Sequence, residues 1–411
     1  MLHKGYRRIR GAIRRSKGAA PVAITACLFA GVISVGTAAS GLGFGSTSAS
    51  ATGPSSFVHG AYVGPADVAG IAKFSSTTKT STTLASDSIP YAGGWAHLDG
   101  AGGSLAWVLQ SGWSKTHYAL SLAVPMIPTD AEGVAVATLA AGASGAYNGY
   151  FMTLARTLVA AGEANAYLRL GWEFDGGWYA WSATSADAEA NFASYFRQIV
   201  TAMRSIPGEH FRFVWNPTAA AFADGYDLAL AYPGNSFVNE IGLDDYDQTW
   251  LSPQTSKVEW NETTLPNLTA AHRFAASRHK SLVVCEWGLS IRTDGHGLGD
   301  DPRFINNFAA WMKNPVNDIK YESYFNFDAG GQKDSITDGD TPKSLAAFVA
   351  DLGQTSQPGD NETMYIIVGA VVVGAGLVVT LGVWRRLRRR QVPGVTPESE
   401  DNTTRADTSA I

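Results

Sequence analysis

Seven short apolar runs recur between residues 59 and 327, and their rhythm limits the fold more than any other feature of the chain. They are HGAYVG (59–64), YALSLAVPM (118–126), AYLRLGW (166–172), FRFVWN (211–216), VNEIGLDDY (238–246), SLVVCEW (281–287) and YESYFNF (321–327). They are mostly apolar rather than alternating, and several close on polar residues, as parallel strands covered on both faces do. Helical patterns fall between them. Phe151, Leu154, Ala155 and Leu158 keep i, i+3, i+4, i+7 spacing, and so do Phe192, Tyr195, Phe196 and Ile199. A capping box from Thr184 to Asp187 would open the second of these helices. A third is expected over 301–313, with Phe304, Phe308 and Trp311 on or near one face. Strands alternating with helices predict a parallel α/β fold. An eighth strand is expected near residues 84–110, where the pattern is weak, and eight strands favour a (β/α)8 TIM barrel over residues 58–352. A doubly wound sheet would carry a glycine fingerprint after its first strand, but the cluster GLGFG (41–45) lies ahead of it.

Both ends carry membrane signals. Residues 1–17 hold seven Lys/Arg and no acid, and they precede the apolar run AAPVAITACLFAGVISVGTAA. With Ala49 and Ala51 in A-x-A spacing, residues 1–51 read as a signal peptide, with an uncleaved anchor as the alternative. The ITAC ending at Cys27 is similar to a lipobox, but the apolar run continues past it. Residues 52–57 form a linker, and 353–363 a polar stalk. Residues 364–384 (MYIIVGAVVVGAGLVVTLGVW) contain no charge and suit the roughly 20 residues of a membrane span. RRLRRR follows, so the tail (385–411) is expected in the cytoplasm and the body outside. The expected location is therefore the cell membrane, single-pass. Residues 18–384 carry 18 Lys/Arg against 32 Asp/Glu. So acidic a body excludes nucleic acid as a partner.

In a barrel of this kind the active site gathers at the C-terminal ends of the strands. Two glutamates stand there, Glu173 after LRLGW and Glu286 after LVVC. Strand alternation puts Arg169, Gly171 and Glu173 on one face, the glycine leaving room for a ligand. It likewise pairs Val284 with Glu286 and turns Cys285 the other way, as a packed core thiol. Two inward carboxylates on different strands are what glycoside hydrolysis requires. Trp172, Trp178, Tyr179, Trp181, Trp250 and Trp287 would supply platforms for sugar rings. Asp244, Asp245 and Asp247 in GLDDYD could ligate a metal or bond sugar hydroxyls. No HExxH, GxxxxGK or GxSxG motif occurs, and no cofactor is implied. No motif specifies an oligomeric state.

LRLGWEFDGGWYAW (168–181) resembles the acid/base segment of glycoside hydrolase family 26, where an arginine precedes a glutamate followed by N-G-x-W-x-x-W. VVCEWG is similar to that family's nucleophile strand, FVWNP to its fifth strand, and YPGNSFVNEIGLDDYD to its sixth. The resemblance covers roughly residues 58–352. It implies a clan A barrel with Glu173 as general acid/base, Glu286 as nucleophile, and retention through a glycosyl–enzyme intermediate. Arg169 would be the charge partner of Glu286 and Tyr246 a hydrogen-bond donor to it. Trp172, Asp175, Trp178, Trp181, Asp244 and Trp287 would join them around a polysaccharide substrate. Two positions depart from the pattern: Trp172 stands where mannanases have histidine, and Asp175 where the family has asparagine. Specificity for β-mannan is therefore not implied.

The sequence is thus read as a membrane-tethered retaining β-glycosidase acting on an extracellular or cell-surface polysaccharide, β-mannan, β-glucan or related. The alternatives are a non-catalytic carbohydrate-binding surface protein, a transglycosylase on the same site, and an adhesive ectodomain.

Overall fold

A computed structural model describes residues 57–99, 103–329 and 331–354, which fall in one compact unit. The signal segment, nearly all of the linker, most of the stalk, the apolar 364–384 run and the basic tail lie outside the described residues. Among the described residues, no helix is long and apolar enough to cross a membrane.

Eight parallel strands close into a barrel in sequence order: β1 (Val58–Tyr62), β2 (Thr82–Ser88), β3 (Ala119–Val124), β4 (Tyr167–Leu170), β5 (Arg212–Trp215), β6 (Glu240–Tyr246), β7 (Leu282–Gly288) and β8 (Ile319–Phe325). β1 pairs with both β2 and β8, which closes the ring. This is the (β/α)8 TIM barrel. The strand expected near 84–110 is β2, and its sequence TTLASDS is too polar to stand out.

Helices cover the outside: α1 (Val68–Thr78), α2 (Asn148–Ala160), α3 (Ala186–Arg204), α4 (Leu265–Ser277), α5 (Pro302–Lys313) and α6 (Pro342–Leu352). The anticipated faces are the buried ones. Phe151, Leu154, Ala155 and Leu158 of α2 pack inward, as do Phe192, Tyr195, Phe196 and Ile199 of α3. Phe304 and Phe308 of α5 are buried as well, while Trp311 is only half-buried. The cap of α3 lies one residue later than expected. Ser185 has extended backbone and its side chain accepts from the Ala188 amide, so Asp187 falls in the first turn without closing a box.

The core has two parts. A large cluster fills the space between strands and helices, and a small one of Leu84, Val214, Val283, Cys285 and Tyr321 fills the barrel interior. The small cluster forms the floor on which the polar site rests.

Candidate active site

Arg169 ties the strand ends together. It points into the barrel from β4 and is 1% exposed. Its Nε donates to Asn216 Oδ1 at 2.7 Å, and its Nη2 donates to Asp244 Oδ2 at 3.0 Å and to Glu286 Oε1 at 2.7 Å. One guanidinium therefore links β4 to the ends of β5, β6 and β7. Burial alone would lower its pKa, but Asp244 and Glu286 beside it hold it well above the ordinary value.

Glu286 reaches this position through an irregularity. β6 and β7 pair as Leu243 with Val284 and then Asp244 with Glu286, so Cys285 is an extra residue on β7. A one-residue bulge of this kind breaks the alternation of faces. The expectation that Val284 and Glu286 share a face is therefore wrong. Val284 packs in the outer cluster, whereas Cys285 and Glu286 both face the interior. Cys285 is a core thiol all the same: it is fully buried, 3.4 Å from the Tyr321 hydroxyl, and burial pushes its pKa up to about 12. The second oxygen of Glu286 accepts from the Tyr246 hydroxyl at 2.7 Å.

Glu173 arrives by a different device. β4 ends at Leu170, and both Gly171 (φ +57°) and Glu173 (φ +49°) adopt left-handed backbone. Gly171 does not open space for a ligand, since a Cβ there would meet Met126 Sδ at 2.6 Å. It permits a sharp turn instead. The left-handed conformation costs a residue with a Cβ about 1–2 kcal/mol. At Glu173 it is held by the bond from its own amide to Asn216 O (2.8 Å) and from the Gly176 amide to its carbonyl (3.1 Å). The side chain then accepts from Trp178 Nε1 at 2.9 Å.

Glu173, Asp244 and Glu286 each bring one oxygen within 4.8 Å of the others. Three carboxylates share one cation, so the group cannot be fully ionised without strong repulsion. Burial, then the charge of Glu286, push Glu173 up to about 8 against the pull of the Trp178 bond. Asp244 is also held well above its ordinary range, first by burial and then by Glu286, with Arg169 opposing. Such a trio has the spacing of a metal site. Arg169 already supplies the positive charge, however, and occupies an oxygen of both Asp244 and Glu286, so this is an ion-pair centre.

The expected aromatic platforms divide. Trp178 is 49% exposed and Trp250 47%. Trp250, in the loop after β6, stacks on His296, in the loop after β7. Trp181 is fully buried. It stacks on Tyr179 at 4.4 Å and donates to the Trp172 carbonyl, while Trp172 donates to the Tyr179 hydroxyl at 2.9 Å. These three rings form a self-bonded wall in which Trp172 and Trp181 are buried and Tyr179 is half-buried. Trp287 is not at the site at all. It faces outward, packs on Phe308 and Phe348, and donates to Glu322. Asp175 is likewise turned away from a substrate role, accepting from the Thr218 amide (2.8 Å) and hydroxyl (2.6 Å) to brace one loop on the next.

Three site residues escaped the motif reading. Asn216 holds both Arg169 and the Glu173 amide, and its signal is the polar residue ending FVWN. Tyr62, ending β1, packs at a tilt on Phe325, ending β8, with ring centroids 4.8 Å apart, and Phe325 meets Tyr246 edge-on. Burial, then the charges of Asp87 and Glu286, raise the Tyr62 pKa. Nothing in the run HGAYVG marks it.

Residues 134–275 match the sequence profile of Glycosyl hydrolase family 26. A mannan endo-1,4-beta-mannosidase of Bifidobacterium adolescentis is 27% identical over 164 residues, which are 39% of this chain and 16% of that protein. Endoglucanase H of Acetivibrio thermocellus is 24% identical over 180 residues, 43% of this chain and 18% of that protein. The chain thus spans only a minor part of the length of these relatives. Among solved structures, a modular endo-beta-1,4-mannanase of Cellulomonas fimi superposes with a TM-score of 0.53 at 17% identity, covering 74% of this chain and 71% of that one. GH26C of a Muricauda species gives 0.53 at 16% identity, covering 74% and 86%. These superpositions show the same barrel.

Proposed function

The chain is a glycoside hydrolase family 26-like protein, and from that premise we propose that it hydrolyses a β-linked polysaccharide, β-mannan or a related β-glycan, with retention of configuration. The observation that carries the reading is the pair of carboxylates at the ends of β4 and β7. Their oxygens approach within 4.8 Å, close to the roughly 5–5.5 Å of retaining enzymes and short of the roughly 6.5–9.5 Å that leaves room for an inverting water.

The environments divide the labour. Glu173, with its pKa near 8, keeps its proton at neutral pH and donates it to the departing glycosidic oxygen. Glu286, with one oxygen held by Arg169 and the other by Tyr246, attacks the anomeric carbon. Once the glycosyl–enzyme has formed, Glu286 is esterified and its charge is gone. Glu173, which has given its proton to the leaving group, loses its main repelling neighbour and stays ionised. It then takes a proton from the incoming water as that water displaces Glu286 from the anomeric carbon. Trp178 and Tyr179 border the carboxylates and suit the apolar face of a sugar ring. Tethering by the 364–384 run, with the barrel outside the cell, belongs to the same proposal and rests on the sequence.

The test is hydrolysis of β-mannan, mixed-linkage β-glucan and β-xylan by wild type, Glu173→Gln and Glu286→Gln, with proton NMR of the first-formed anomer. Retention, with activity lost in Glu286→Gln, is expected. Binding without cleavage would leave a carbohydrate-binding protein, and transfer to a sugar acceptor in preference to water would make it a transglycosylase.

A further inference from the structure

Tyr91 stands at the carboxyl end of the barrel, in the loop after β2, and is 41% exposed. With every barrel strand parallel, this loop opens on the same face as the ends of β4 and β7. Its backbone is fixed from both directions. Tyr91 O accepts from the Thr129 amide at 2.7 Å, and the amides of Gly93 and Gly94 donate to Thr129 O at 2.9 and 2.8 Å. Both glycines have positive φ (+97° and +75°), a conformation open to glycine, and so two successive amides reach one carbonyl. The loops after β2 and β3 are thereby tied into one rim, and the Tyr91 ring is carried on a held main chain.

The side chain extends the aromatic wall that begins at Glu173. Trp178 donates to that carboxylate, and its ring lies 6.4 Å from Tyr179. Tyr179 and Trp181 are stacked nearly parallel, 4.4 Å apart. Tyr91 lies 6.0 Å from the first and 5.9 Å from the second, nearly perpendicular to both. Equal distances to two parallel rings put it beside the stack, not on top of it. One side of the ring leans on the wall in the T-shaped arrangement that aromatic pairs favour. The other side is left to solvent.

We propose that Tyr91 is a sugar-binding platform that holds a residue of the β-glycan chain beyond those at the scissile bond. From Glu173 outward, Trp178, Tyr179 and Tyr91 follow one another at ring-to-ring steps of 6.4 and 6.0 Å. These steps are comparable with the repeat of an extended β-linked pyranose chain. A pyranose presents a flat face of C–H bonds on the scale of one phenol ring, and the phenol hydroxyl at its tip can bond a sugar hydroxyl. Because the loop is already held, little ordering opposes binding. A sugar at Tyr91 is remote from the bond being broken, so its contact holds the chain equally before and during reaction and acts on KM. The site therefore prefers long chains, and oligosaccharides that end short of Tyr91 forgo the contact.

This inference takes its substrate from the glycosidase reading but is measured by a different quantity, the dependence on chain length. Wild type, Tyr91→Ala, Tyr91→Leu and Tyr91→Phe are compared on β-1,4-linked manno- and gluco-oligosaccharides, as trisaccharide and hexasaccharide. The ratio of hexasaccharide to trisaccharide kcat/KM should fall about three- to tenfold in Tyr91→Ala and Tyr91→Leu, through KM, as loss of one ring contact dictates. Tyr91→Phe keeps the flat face and should stay near the wild-type ratio. Leucine fills the space beside Tyr179 and Trp181, so a loss shared by the Ala and Leu variants comes from the missing face and not from a loosened wall. A ratio unmoved in both would overturn the proposal. So would an equal loss on the two substrates, which would make Tyr91 a prop for the wall. If wild type cleaves neither series, the glycosidase reading fails and titration calorimetry with the same oligosaccharides decides this one. Hexasaccharide affinity lowered in the Ala and Leu variants upholds the platform, while equal affinities, or no binding by wild type, overturn it.

Discussion

Replacing Trp178 by Phe should make Glu173 a weaker acid. The indole Nε1 donates to Glu173 Oε2 at 2.9 Å, a bond that favours the ionised carboxylate. It opposes the burial and the Glu286 charge that together bring the group to about 8. A hydrogen bond to a charged acceptor contributes about 1.5–3 kcal/mol, equivalent to roughly 1–2 pKa units. Trp178 is 49% exposed, so water replaces part of that bond, and about 0.5–1 unit is the appropriate figure. The assay is kcat/KM against pH, from about 6 to 10, on an unactivated oligosaccharide whose leaving group needs the proton. This quantity titrates the free enzyme. The wild-type profile should fall on its alkaline side near 8, and that limb should lie about 0.5–1 unit higher in Trp178→Phe, whatever happens to the overall rate through lost stacking. A limb that stays put or moves toward acid would refute the assignment of Glu173 as the proton donor held in this balance.

Three further outcomes follow from the same geometry. Arg169→Met removes the cation shared by Asp244 and Glu286 and should destabilise the barrel by about 3–5 kcal/mol, measured by urea unfolding at neutral pH. Glu173→Gln should unfold less readily than wild type at pH 9, by about 1–3 kcal/mol, with little difference at pH 4. The sign follows from linkage: a raised carboxyl pKa gives stability that is fully present below the unfolded value and lost as pH rises through about 8. Trp287→Ala should cost about 3–5 kcal/mol through the cavity left against Phe308 and Phe348. What folded enzyme remains should keep its KM, because the indole lies behind the site.

The architecture was legible because parallel strands buried on both faces are apolar along their length and stop at polar residues. Seven strands announced themselves that way, and the polar β2 did not. The two glutamates, Arg169 and Tyr246 could be found because their strands end where the chemistry of a barrel is expected. What failed was the counting of faces. It assumes an unbroken alternation, whereas Gly171 leaves the strand in a left-handed turn and Cys285 adds a residue to β7. Trp181 and Trp287 were misplaced for a related reason. An indole suits a buried wall as well as an exposed platform, and only packing decides between them.

The bulge also gives the barrel a clock of its own. Cys285 is the free cysteine of the described body, and Cys27 is the other cysteine of the chain. Its sulfur sits inside the closed ring of strands, near Gly242 and Tyr321. A thiol reagent can reach it only when neighbouring staves part, so the labelling rate counts openings of the ring and is blind to the motions of the rim. A saccharide that merely quiets the loops would leave that rate unchanged, whereas one that tightens the strands themselves would slow it.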